Sequence, residues 1–126
     1  NYFGEKIMKI IALHGGMRGF DIPGAIFVIT GDLRLYQNEY ERNTLFVDGG
    51  IFLMNLLYAL DSLGLVACPL IWGSEPSDDK KLSEILNIKP HEKIVAWISA
   101  GYCPGKAFKA AISSKRDLNT ILRIIE

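Results

Sequence analysis

Val47-Asp48-Gly49-Gly50-Ile51-Phe52-Leu53-Met54-Asn55-Leu56-Leu57-Tyr58-Ala59-Leu60-Asp61-Ser62-Leu63-Gly64-Leu65-Val66-Ala67-Cys68-Pro69-Leu70-Ile71-Trp72 reads as a helix that is apolar nearly all round, closed by a glycine and followed at once by a short apolar strand. A surface helix shows a narrower apolar stripe, so this one must be enclosed by its own fold or by a partner chain. The ends can be read from the same residues. Asp48 is the expected N-cap, where a carboxylate accepts from free amides and complements the positive end of the dipole. Gly64 suits the left-handed position just past the end, with Leu65 packing back on Leu60. Asp48 and Asp61 limit the uncharged run to Gly49–Leu60, well short of the ~20 residues that a membrane-crossing helix needs.

The 126 residues are expected to form one domain, residues 1–126, with a single core. Hydrophobic residues make up 49% of the chain, which is rich for a monomer of this size and agrees with a large apolar interface. Lys plus Arg and Asp plus Glu are equal at 14 each, so no broad field favours nucleic acid or an anionic lipid surface. Neither nucleic acid nor membrane is therefore expected as a partner. No positively flanked signal region with a cleavage site opens the sequence, and a cytoplasmic protein is expected. Cys68 and Cys103 have neither CxxC spacing nor a nearby histidine pair, and His14 and His91 stand far apart, so no metal site is expected.

Ile7, Ile10, Ile11 and His14 recur at helical spacing and predict a helix over Glu5–Leu13, ended by Gly15-Gly16. The apolar run Ala25–Thr30 predicts a central strand and Leu65–Ile71 a second buried one. Leu82, Ile85 and Leu86 form the buried stripe of a further helix with Asp78 and Asp79 in its first turn and Pro90 as its limit. Lys93–Ala100 predicts a third strand, and Asp117 caps a last short helix. Helices alternating with apolar strands fit a parallel doubly wound sheet or an α+β layer equally well. Neither GxGxxG nor GxxxxGK[ST] occurs in the chain.

The order Val47-Asp48-Gly49-Gly50, Met54-Asn55-Leu56-Leu57, Leu63-Gly64-Leu65, Cys68-Pro69-Leu70, Ala100-Gly101-Tyr102 and Ser114-Lys115-Arg116 resembles the FMN-dependent nitroreductase family, in particular its C-terminal half, from about Gly15 onward. That resemblance implies an α+β fold with a mostly antiparallel sheet flanked by helices and an intertwined homodimer, with the long helix at the dimer core and FMN at the interface. It implies an oxidoreductase that takes a hydride from NADH or NADPH onto FMN N5 and passes electrons to a nitroaromatic, quinone or other small acceptor. Family members open with an Arg- and Ser-rich segment of the type RRSxR. Nothing of that kind precedes Glu5, so the sequence reads as the C-terminal part of a nitroreductase-like domain.

Residue by residue, the resemblance implies that the backbone of Pro69, Leu70, Ile71 and Trp72 runs along the flavin and donates to it. Fixed amides there stabilise the negative charge that hydride transfer leaves on the pyrimidine side. Ser114, Lys115 and Arg116 match the family's phosphate clamp, in which guanidinium offers a planar pair of donors and lysine a point charge. Arg18 belongs to a GxRGF-like element at the expected substrate mouth. The residues alone also allow plainer readings: a buried strand end at Cys68–Trp72, a solvated basic turn at Ser114–Arg116 and a turn with one exposed arginine at Arg18. No side chain is expected to act as nucleophile or base. Asn55 is expected to be structural, Asp48 and Asp61 to be helix-end charges, and Trp72 and Trp97 to be core or pocket wall. The main alternative is a non-catalytic dimeric module of the same fold that holds no flavin.

Overall fold

In the computed structural model, residues 2–17, 19–103, 105 and 114–125 are described. The elements are α1 (Tyr2–Leu13), β1 (Ala25–Asp32), α2 (Thr44–Ser62), β2 (Val66–Leu70), α3 (Pro76–Leu86), β3 (Glu92–Gly101) and α4 (Leu118–Ile121), with single 3₁₀ turns at Gly15–Met17, Leu33–Leu35 and Glu39–Glu41. Among the described residues the sheet is three-stranded and antiparallel, in the order β1-β3-β2.

Helices cover both faces of that sheet. On one face, Ile10, Met17, Leu82 and Trp97 form a core with Ile11, Leu13, Ile85 and Leu86 from α1 and α3. On the other, Ile29, Leu60, Ile98 and Ala100 pack with Leu53, Leu56 and Leu57 of α2. Burial on both faces explains why the strands read as continuous apolar runs rather than as alternating ones. The same runs hid the strand order. The Ala25–Thr30 run is an edge strand, not the expected central one, and β2 is a second edge whose Val66, Cys68 and Pro69 are exposed rather than buried. The central strand is β3, where Trp97 and Ile98 lie fully buried on opposite faces.

The long helix starts before Asp48, which corrects the expected cap. The amides of Phe46 and Val47 already bond the Asn43 carbonyl, and Asp48 sits inside the helix, accepting from the Tyr36 hydroxyl at 2.9 Å. Its C-terminus is as expected. Gly64 takes φ +74°, its amide bonds the Asp61 carbonyl at 2.9 Å, and the Leu65 amide bonds the Leu60 carbonyl at 3.0 Å. These are the two bonds of a Schellman motif, with Leu65 and Leu60 packed together behind them. At the end of α3 the left-handed residue is Asn87 (φ 57°), so that helix stops before Pro90.

Where α2 crosses the sheet, Gly49 is required by contact. The β1–β3 register passes from Ile29↔Ala96 to Thr30↔Ile94, leaving Val95 as a bulge turned toward α2. A Cβ on Gly49 would stand 2.6 Å from Val95 Cγ1 and 3.1 Å from its Cβ, while one on Gly50 would meet nothing within 4 Å. Alanine is the better helix former by about 1 kcal/mol, but overpacking a stiff β-branched neighbour costs about 1–3 kcal/mol. Gly49→Ala is therefore expected to destabilise the protein and Gly50→Ala to stabilise it slightly. Urea midpoints in the opposite order would contradict this packing.

Candidate functional site

The buried face of α2 carries Leu45, Gly49, Leu53, Leu56 and Leu60, and on the opposite side Val47, Ile51, Met54 and Tyr58 are 46–69% exposed. Both stripes follow helical spacing, so the helix is apolar on two faces and its own fold covers one. By length and composition α2 could also cross a membrane, though only 17% of that span is buried here. Its contacts with the sheet and the Tyr36–Asp48 bond fasten its buried face to the protein. Asn55, expected to be structural and to bond across the core or the dimer axis, lies on the exposed side, away from this protomer's core. Leu118, Ile121, Leu122, Ile124 and Ile125 in and after α4 are likewise exposed.

The segment that sequence reasoning marked for flavin is the end of β2. Pro69 pairs with Ile98 and Leu70 with Trp97 across the ladder. A proline fits an edge strand only where its nitrogen faces away from the ladder, and amide direction alternates along a strand. The Leu70 amide therefore points to β3 and the Ile71 amide to the free edge. Pro69 has no N–H, so it can give contact but no hydrogen bond. Side chains alternate in the same way: Leu70 and Trp72 pack into the α1/α3 core, and Ile71 between them is 89% exposed.

Trp72 is directed inward. Its ring stacks on Trp97 with centroids 4.8 Å apart and planes within 5°, and its Nε1 donates to Asp79 in the first turn of α3. His14 completes the group, 5.0 Å from Trp97 and 5.8 Å from Trp72. The Gly16 amide donates to His14 Nδ1 at 3.2 Å, which places the neutral ring's proton on Nε2. Among the described residues, His14 Nε2 and Trp97 Nε1 are buried without a partner. Sequence spacing had put His14 in line with Ile7, Ile10 and Ile11, but nothing in it signalled this aromatic cluster.

Ser114, Lys115 and Arg116 are exposed in the irregular segment that leads into α4. Arg18 lies outside the described residues. The expected cofactor residues thus comprise a strand end packed on the core and an exposed basic segment before α4.

A cavity of about 840 Å³ opens elsewhere, along the outer edge of β1 and the first half of α2, with Thr30, Asp32, Tyr36 and Asp48 among its lining. Hydrogen bonds from the Arg34 side chain and backbone hold the Asp32 carboxyl at about 2. Burial, followed by the bond to Asp48, raises the Tyr36 hydroxyl above its usual range. This cavity shares no residue with the β2 end, since β3 separates the two edges. It is best understood as the hollow beside β1, an edge strand among the described residues. Among the described residues no group of three His, Cys, Asp or Glu side chains is placed to hold a metal, and Cys68 and Cys103 are free.

Several solved structures share this fold at low identity. A candidate NADH dehydrogenase/NAD(P)H nitroreductase from Parabacteroides distasonis superposes with TM-score 0.72 and 21% identity, over 94% of this chain and 66% of the other. An FMN-dependent nitroreductase from Clostridium difficile gives 0.67 and 20%, over 91% of this chain and 66% of the other. A candidate nitroreductase from Desulfovibrio desulfuricans, solved in complex with FMN, gives 0.69 and 22%, over 93% and 63%. The chain thus spans a little under two thirds of the length of these proteins. Among curated proteins, none matches it. The profile of the Nitroreductase family matches residues 12–102, from the end of α1 through all three strands to Tyr102. With that match over well over half its length, and with the antiparallel sheet between helices that the resemblance implied, this chain belongs to the nitroreductase family.

Proposed function

We propose that this chain is the C-terminal part of a nitroreductase-like domain that works as an FMN-dependent NAD(P)H oxidoreductase in the cytoplasm. The observation that carries the reading is the end of β2, where an exposed residue with its amide on the free edge stands between two partly buried side chains, Leu70 and Trp72, packed against the core. A fixed donor of this kind suits a group that gains negative charge, because it needs no reorganisation when the charge arrives. Bound FMN would supply the hydride and electron chemistry, as flavin cofactors do. The chain's own part is to bind and orient it. The Ile71 amide would donate to it, Pro69 and Ile71 would offer contact, and the exposed Ser114, Lys115 and Arg116 would hold its phosphate. Arg18 is assigned to the substrate mouth, and a nitroaromatic, quinone or similar small molecule to the acceptor role.

A second copy of the chain completes the reading. The exposed stripe of α2 and the apolar residues around α4 are suited to a homodimer, which would bring a basic segment of one protomer to the strand end of the other. Titrating FMN into the purified chain, followed by flavin fluorescence, tests the proposal. Quenching that saturates is expected. Arg116→Ala should weaken binding by about tenfold or more, since hydrogen bonds to charged groups contribute ~1.5–3 kcal/mol. Unquenched flavin would favour the non-catalytic dimeric module, and unchanged affinity in the variant would remove Arg116 from the clamp.

A further inference from the structure

We infer that Trp72 is a positioning residue for the cofactor segment, acting through Trp97 and Asp79; the inference rests on the proposed flavin site. The ladder ends with Leu70, whose carbonyl shares one rigid peptide with the Ile71 amide, and past that last pair no strand pairing holds the chain. What anchors it just beyond Ile71 is the next side chain. Trp72 is stacked on Trp97, a fully buried residue of the central strand that also stands opposite Leu70. The Trp72 Nε1–H bond to Asp79 then fastens the same indole to α3, closing the loop Gly73–Glu75 into a ring. His14 packs against both indoles from the end of α1. Three elements thus converge on one side chain, while the residue before it is almost fully exposed.

This arrangement separates two duties within a single turn of chain. Ile71 presents its amide to the free edge, and Trp72 anchors the chain just past it, so that the last ladder pair does not fray and the amide keeps its direction. A donor is useful to a developing charge only if its direction is fixed beforehand. Stacking holds the indole's plane, and the carboxylate stops it from sliding within that plane. Phenylalanine at 72 would keep a stacking ring and lose the second restraint. Asparagine at 79 would keep an acceptor oxygen, whereas alanine would not.

The test compares wild type with Trp72→Phe, Asp79→Ala and Asp79→Asn, reading FMN dissociation constants, the reduction potential of the bound flavin and melting temperature without flavin. Trp72→Phe and Asp79→Ala are expected to weaken FMN binding about threefold to tenfold and to lower the potential, with Asp79→Asn close to wild type. The Ile71 amide should become more mobile in the first two variants by ¹⁵N relaxation. If wild type binds FMN and all the variants match it in affinity and potential, the positioning role is overturned and the flavin site stands. If wild type leaves FMN unbound, the functional reading falls and this role falls with it. A merely structural contribution would move the melting temperature alone, and that result also overturns the inference.

Discussion

Trp97→Ala is expected to remove about 3–5 kcal/mol of stability, while Trp97→Phe should stay within about 1 kcal/mol of wild type. Trp97 is fully buried at the centre of the α1/α3 face, stacked on Trp72, beside His14 and in the cluster with Leu82. Truncation leaves a cavity that α1, α3 and the sheet would all have to move to fill. Domains are stable by only about 5–15 kcal/mol, so the alanine variant should sit near the threshold of folding. Phenylalanine behaves differently because the Trp97 indole N–H is buried with no partner among the described residues. An unsatisfied buried donor costs about 1–3 kcal/mol, and removing it offsets much of the lost ring area. Urea denaturation followed by far-UV circular dichroism checks both values. Equal losses for the two variants would mean that the indole nitrogen is bonded in solution, to water for example.

The contrast also shows what one sequence can convey. The C-terminal closure of α2 was legible because Gly64 and Leu65 carry it locally, within a few residues of the carbonyls they bond. The start of α2 was not. Thr44-Leu45-Phe46-Val47 extends the helix because Leu45 packs against the backbone of Gly31 and buries itself there, a contact made across the sheet that no local cap signal can announce. Strand order failed for a related reason. An apolar run bounded by glycines reads alike for a strand with two neighbours and for an edge strand covered by helices, and only pairing separates them. At the site, Pro69 did carry usable information. Its missing N–H marks β2 as an edge and fixes which amides face outward, although the sequence reading treated all four residues from Pro69 to Trp72 as equivalent. The inward turn of Trp72 depends on Trp97, His14 and Asp79, which come from three other parts of the chain.

Ile51→Lys is expected to convert the proposed dimer to monomers without unfolding the protomer. The outward stripe Val47, Ile51, Met54 and Tyr58 faces solvent in one chain, and burying such side chains is worth about 1.5–3 kcal/mol each before the costs of association. Ile51 is 59% exposed within the protomer, so lysine there loses little intramolecular packing. In a dimer the same position would place an ammonium group in an apolar interface, where an unpaired charge costs several kcal/mol. At 1.4 kcal/mol per factor of ten, the dissociation constant should rise by roughly two to three orders of magnitude. Sedimentation velocity across a hundredfold range of concentration reads this directly, and urea midpoints that depend on concentration for wild type but not for the variant provide a second check. Gly49→Ala makes the natural control, since it strains the opposite face of the same helix and should lower protomer stability with the outward stripe intact. Wild type that stays monomeric throughout would leave the outward stripe of α2 without its twin and would return the flavin site to a single protomer. In that case the strand end at Ile71 and the basic segment at Ser114–Arg116 would have to meet within one chain, and Ile51→Lys should then leave FMN affinity unchanged.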